Sequence, residues 1–270
     1  MRGTLFVLLS VVLSLAACAG NVPVAQGPVN ANIGSTPPAK PGSSTVTIDS
    51  PDGLRIVGSF YEASKPGSPA LLLLHQWASD RHSYDDFAAR MNSAEGFNVL
   101  SIDGRGFGES TKTADGKPVG AGRTDADVKA MQGDVRAAFE YLSKQKNVDT
   151  TKIGIVGASY GSSLALIYAV EDPRVAAVAL LSPGLNYFGN MPTEPAIKKY
   201  GDRPIFLVAA EDDKESADAV RTLIAGAGNP KYNQKVYASG GHGTGLFRAN
   251  VCLDLALKSF FTEKLMPSHN

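Results

Sequence analysis

The chain carries no excess of either charge: 26 Lys and Arg stand against 26 Asp and Glu in 270 residues. A nucleic-acid-binding surface normally shows as a basic excess, so a strongly basic chain is excluded and no nucleic-acid partner is expected. Cysteine is scarce. Two cysteines and four histidines supply neither a disulfide-rich scaffold nor a Cys/His cluster at zinc-ligand spacing, so the expected chemistry uses no metal and no cofactor. Charged residues make up 19% against 43% hydrophobic, which excludes disorder throughout and leaves enough apolar surface for one sizeable core or two small ones. Long hydrophobic runs are missing except at the start, where residues 4–17 are apolar but too few to span a bilayer as a mature helix.

That first run follows a single positive charge at Arg2 and reads as a signal peptide over residues 1–17. It closes on Leu15-Ala16-Ala17-Cys18, which resembles the lipobox of bacterial lipoproteins. The resemblance implies acylation of Cys18, cleavage ahead of it, and a lipid anchor at the bacterial cell envelope. The competing reading is an ordinary secretory signal with Cys18 incidental. Residues 18–44 then form a Pro- and Gly-rich tether with Lys40 as its one charge beyond the cysteine, a composition that cannot bury a core. The folded domain is expected over residues 45–270. Loss of residues 1–17 removes Arg2 and tips the mature chain to a net charge of minus one.

Residues 45–49 and 54–61 are β-rich and flank Ser50-Pro51-Asp52-Gly53, a turn-forming run that suits an antiparallel hairpin. Strand candidates at 70–74, 98–102, 152–156, 175–181, 204–209 and 234–237 then alternate with helical stretches at 84–93, 125–144, 160–170, 215–225 and 246–264. Such alternation implies crossovers and a mostly parallel sheet covered on both faces. Ligands in such sheets sit beyond the carboxyl ends of the strands.

At one of those ends Gly157-Ala158-Ser159-Tyr160-Gly161 separates strand from helix and matches the G-x-S-x-G nucleophile elbow. A serine hydroxyl needs a base within hydrogen-bonding reach. Of His75, His82, His242 and His269, the last is in the C-terminal tail, whereas His242 lies among Gly240, Gly241, Gly243 and Gly245 after a strand. A carboxylate must orient the imidazole, and between Ser159 and His242 the cluster Glu211-Asp212-Asp213 follows the strand candidate at 204–209. Cys252 is expected inside the last helix as a buried thiol.

Taken in order over about 220 residues, the hairpin, His75-Gln76-Trp77, the elbow, the acidic turn and the glycine-flanked His242 resemble the α/β-hydrolase superfamily. The match is to its dienelactone-hydrolase-like branch, with Ser159 where dienelactone hydrolases use cysteine. The resemblance implies an α/β-hydrolase fold: a mostly parallel central sheet opened by an antiparallel hairpin, helices on both faces and no large cap domain. It implies Ser159, Asp213 and His242 as a catalytic triad, with Asp212 as the alternative acid. It also implies Trp77 and Tyr160 as backbone N–H donors of the oxyanion hole. Gln76 departs from the usual glycine of that turn. Trp77 reads either as an acyl-pocket wall or as core packing, while Asp103 and Arg105 read as loop braces. The implied activity is a carboxylesterase acting on a small-molecule ester. An acyltransferase or peptidase on the same triad, and a non-catalytic envelope lipoprotein on a hydrolase scaffold, are the alternatives.

Overall fold

The apolar runs assemble into one eight-stranded sheet in a computed structural model that describes residues 42–249 and 252–266. In chain order the strands are β1 (Ser44–Asp49), β2 (Arg55–Tyr61), β3 (Ser68–Leu74), β4 (Asn98–Ile102), β5 (Val148–Ala158), β6 (Val175–Leu181), β7 (Asn186–Tyr187), β8 (Met191–Pro192), β9 (Ile205–Ala210) and β10 (Asn233–Tyr237). The sheet runs β1-β2-β4-β3-β5-β6-β9-β10, and β7 and β8 form a separate two-stranded ribbon. β1 and β2 make the expected opening hairpin, in register from Ser44 opposite Phe60 to Asp49 opposite Arg55. Its turn closes through Gly53, whose φ of 86° favours glycine. β2 meets β4 antiparallel, and every pairing from β4 to β10 is parallel.

Because side chains alternate across a strand, each buried strand feeds two cores. Leu72, Leu74, Leu100, Ile155, Leu180 and Leu207 point to one face. There they meet α2 (Asp125–Ser143), α3 (Tyr160–Glu171), α4 (Thr193–Lys199) and α5 (Lys214–Ala227). Their neighbours Leu71, Leu73, Val99, Val156, Leu181 and Val208 point the other way, onto α1 (Asp85–Glu95) and α6 (Leu253–Leu265). α3 is buried on nearly all sides, which explains a sequence apolar around its whole circumference. The elbow that starts it follows β5, among the central strands of the sheet.

One expected element is different. The helix anticipated over 246–264 is a short 3-10 turn, Gly243–Phe247, followed separately by α6. Cys252 is the residue before α6, half-buried and with φ 55°. A left-handed residue cannot continue a right-handed hydrogen-bond ladder, so Cys252 caps the helix rather than lying buried inside it. Between β6 and β9 the chain makes only the β7–β8 ribbon and the seven-residue α4. No helix among the described residues is long and apolar enough to cross a membrane. Cys18, the leader and the tether up to residue 41 lie outside the described residues.

Candidate active site

Four strand ends are drawn level by backbone bonds that continue the sheet beyond its last rungs. Ser159 N donates to Leu181 O at 2.8 Å, Ser182 N to Val208 O at 2.7 Å, and Glu211 N to Tyr237 O at 2.8 Å. The turns after β5, β6, β9 and β10 consequently face one another. Ser159 occupies the sharpest of them, with φ 54° and ψ −125°, a conformation that costs a non-glycine residue of order 1–3 kcal/mol. The glycines at either side are sterically compelled. A Cβ on Gly157 would strike the Gly161 carbonyl oxygen, and one on Gly161 would lie 2.7 Å from the carbonyl oxygens of both Leu74 and His75.

Across the same edge, His242 Nδ1 lies 2.7 Å from Asp213 Oδ2. The Asp213 side chain is 15% exposed and the His242 side chain 42%, so the carboxylate is largely shielded while the imidazole opens toward solvent. Asp212 is turned elsewhere: its carboxylate accepts from Gly240 N at 3.1 Å and Gly241 N at 3.0 Å. Those two amides hold its pKa below the usual carboxylate value. Both acidic residues of the turn therefore act on the histidine loop, Asp213 on the ring and Asp212 on the backbone. Past His242, Gly243 N donates to Ser182 Oγ at 2.8 Å and Thr244 N to Gln76 Oε1 at 2.6 Å.

Ser159, Asp213 and His242 share a position: each immediately precedes a helical segment, and none caps it with its side chain. Serine and aspartate are among the strongest N-caps, worth about 1 kcal/mol each. Here both polar groups are withheld from their helices.

The turn after β3 carries Trp77. Tyr160 is the first residue of α3, where backbone N–H groups have no acceptor within the helix. Trp77, Phe107, Tyr160 and Phe188 form an aromatic cluster, with the Trp77 ring centroid 4.9 Å from those of Phe107 and Phe188 and 5.5 Å from that of Tyr160. Trp77 is half-buried, and the exposed Arg123 places its guanidinium 4.7 Å from the Trp77 ring centroid. Tyr187 donates to Ser182 O at 3.0 Å. Burial pushes its phenol pKa up, and it has the Ser159 hydroxyl and the Asp213 carboxylate among its polar neighbours.

The remaining histidines have other roles. His82 faces Asp85 within one turn, at 3.0 Å, and His269 lies outside the described residues. His75 is buried, with Nδ1 2.7 Å from Gln76 O and Nε2 2.8 Å from Gly104 N. A carbonyl only accepts and an amide N–H only donates, so the neutral Nδ1–H tautomer satisfies both. Burial lowers the pKa of His75. A histidine with a depressed folded pKa contributes stability above its unfolded pKa, about 6.5, and loses it as pH falls toward the folded value. We expect the urea midpoint of the wild type to fall more steeply between pH 7 and pH 5 than that of His75→Gln. Equal slopes would contradict the assignment.

Asp103 and Arg105 brace loops. Buried Asp103 accepts from Arg81 N and Glu109 N, each at 2.8 Å, and is ion-paired with the Arg81 guanidinium. Arg105 makes two bonds to Asp134, at 2.8 and 2.9 Å. Ser182, Tyr187, Phe188 and the Gln76 side chain escaped sequence reading. The aromatic pair Tyr187-Phe188 between two strands was the one available signal. Among the described residues no group of three or more His, Cys, Asp or Glu could hold a metal ion.

A family model described as alpha/beta hydrolase fold matches residues 69–197. An uncharacterized protein of Mycobacterium tuberculosis is 30% identical over 241 residues, spanning 83% of this chain and 80% of its own. Among solved structures, an esterase of Pyrococcus furiosus superposes with a TM-score of 0.67 at 16% identity, covering 83% of this chain and 91% of that one. A dienelactone hydrolase from Anabaena variabilis does so with a TM-score of 0.63 at 17% identity, covering 83% and 98%.

Proposed function

Because the chain belongs to the α/β-hydrolase superfamily, we propose that it is a serine hydrolase of small carboxylic esters. The observation that carries this reading is the 2.7 Å contact between His242 Nδ1 and Asp213 Oδ2, made at the edge where Ser159 stands on a strained strand-to-helix turn. In the proposed reaction Ser159 Oγ attacks the ester carbonyl as His242 Nε2 takes its proton. Asp213 accepts from Nδ1–H, fixes the tautomer and stabilises the imidazolium. The N–H groups of Trp77 and Tyr160 receive the oxyanion. His242 then protonates the leaving alcohol, and water, activated by the same imidazole, hydrolyses the acyl-enzyme.

The ribbon Asn186–Tyr187/Met191–Pro192 and the short α4 supply no lid-sized insertion, which favours access by water and supports hydrolysis over transfer to another acceptor. Fluorophosphonate labelling of the wild type, with a p-nitrophenyl ester chain-length series, tests the reading. Stoichiometric labelling and ester turnover are expected. Folded protein that neither labels nor turns over an ester would favour the non-catalytic alternative, and products trapped on added alcohol or amine would favour a transferase.

We also propose that the enzyme works at the bacterial envelope, held there through acylated Cys18. Each buried methylene of an acyl chain contributes about 0.8 kcal/mol, and several chains together give stable anchoring. Cys18→Ala should shift the protein from the membrane pellet to the soluble fraction after cell lysis; unchanged partitioning would overturn the anchor.

A further inference from the structure

We propose that Gln76 is a positioning residue for His242, tying the oxyanion turn to the loop that carries the base; the proposal rests on the serine-hydrolase reading above. Gln76 stands where glycine is usual in this turn, and its side chain is put to use. Oε1 accepts from Thr244 N at 2.6 Å and from Thr244 Oγ1 at 3.0 Å, across 168 positions of sequence. The fit is close enough that a Cβ on Gly243, itself at φ 60°, would collide with Oε1. The other end of Gln76 is fixed as well, because its carbonyl accepts from His75 Nδ1, 2.7 Å away. The next residue is Trp77, the proposed oxyanion donor. One residue thus holds the oxyanion turn by its backbone and the base loop by its side chain.

The need for such a tether follows from the loop itself. Gly240, Gly241, Gly243 and Gly245 surround His242, and glycine loses more conformational freedom on ordering than any other residue. The bond to Asp213 fixes one ring nitrogen, but leaves the loop free to pivot about it. Asp212 holds the loop before His242, while Ser182 and Gln76 hold it after. Gln76 is the holder that leads back to the turn carrying Trp77. It sets how far the imidazole stands from the place where the oxyanion forms, a distance on which catalysis depends steeply.

The test compares Gln76→Met with Gln76→Glu. Methionine keeps the bulk and removes the acceptor, whereas a glutamate oxygen can accept both Thr244 bonds. Gln76→Met should lower kcat about 10²-fold with KM changed less than about threefold, and Gln76→Glu should retain kcat within about tenfold. Amide exchange of Gly240, Gly241 and Gly243, whose own acceptors are untouched, should quicken about tenfold or more in Gln76→Met but not in Gln76→Glu. The proposal is overturned by unchanged exchange in Gln76→Met, by a Met variant with wild-type kcat, or by a Glu variant as impaired as the Met variant. A wild type that turns over no ester, beside a Met variant whose loop still exchanges faster, would instead remove the hydrolase reading and leave the tether in place.

Discussion

Ser159→Ala should abolish fluorophosphonate labelling and lower kcat about 10⁶-fold for an activated ester. The loss is expected to be that large because the proposed triad would act as a unit: without the nucleophile, His242 and Asp213 would have no proton to move, and only binding and oxyanion stabilisation would remain. The thermal midpoint is the control. Ser159 caps no helix with its side chain, so removing the hydroxyl costs no cap, and the variant should melt within a few degrees of the wild type. A folded Ser159→Ala protein that keeps more than about 1% of wild-type turnover would show that the nucleophile lies elsewhere.

Asp213→Asn should lower kcat about 10⁴-fold, because the amide stabilises the wrong imidazole tautomer and offers no charge to the imidazolium. Asp212→Asn should behave differently. Its carboxylate is directed at Gly240 N and Gly241 N, so the substitution weakens charge-assisted bonds to the loop while leaving the ring partner intact. We expect about a tenfold loss in kcat for it. Measuring kcat for both variants on one ester decides the acid, and a deeper loss in Asp212→Asn would reverse the assignment.

The contrast between these two aspartates also marks where sequence reading stops. Neighbouring carboxylates after β9 are equivalent in a linear pattern, and which one meets His242 depends on a turn whose register is set by the bond from Asp213 N to Ala210 O. The elbow was legible because its pattern is local. A Cβ on Gly157 would strike Gly161 within the turn, and although the atoms that exclude one from Gly161 belong to Leu74 and His75 at the end of β3, strand, G-x-S-x-G and helix are written in one short window. The opening hairpin and the alternation of strands with helices were legible for the same reason, since period and turn chemistry are written in short windows. Gln76 could be recognised only as a departure, for its partner lies 168 residues away. The sequence pattern extends the last helix too far because apolar content continues across residues 246–264, whereas the break at Cys252 is a matter of backbone φ. Composition does not encode it.

Three polar residues stand at helix starts without capping them, one in a strained conformation, and this has an evolutionary consequence. Proteins lie just above the stability they need, and most chemistry-bearing positions are held at some cost to it. In a lineage released from catalysis, glycine at position 159 would relieve the backbone, and small changes at the other two helix starts would restore caps. Each step would be favoured by stability alone, and none would disturb the fold. Relatives on this scaffold that lack the proposed ester chemistry should therefore betray it first at these three positions, while their cores still look like those of enzymes.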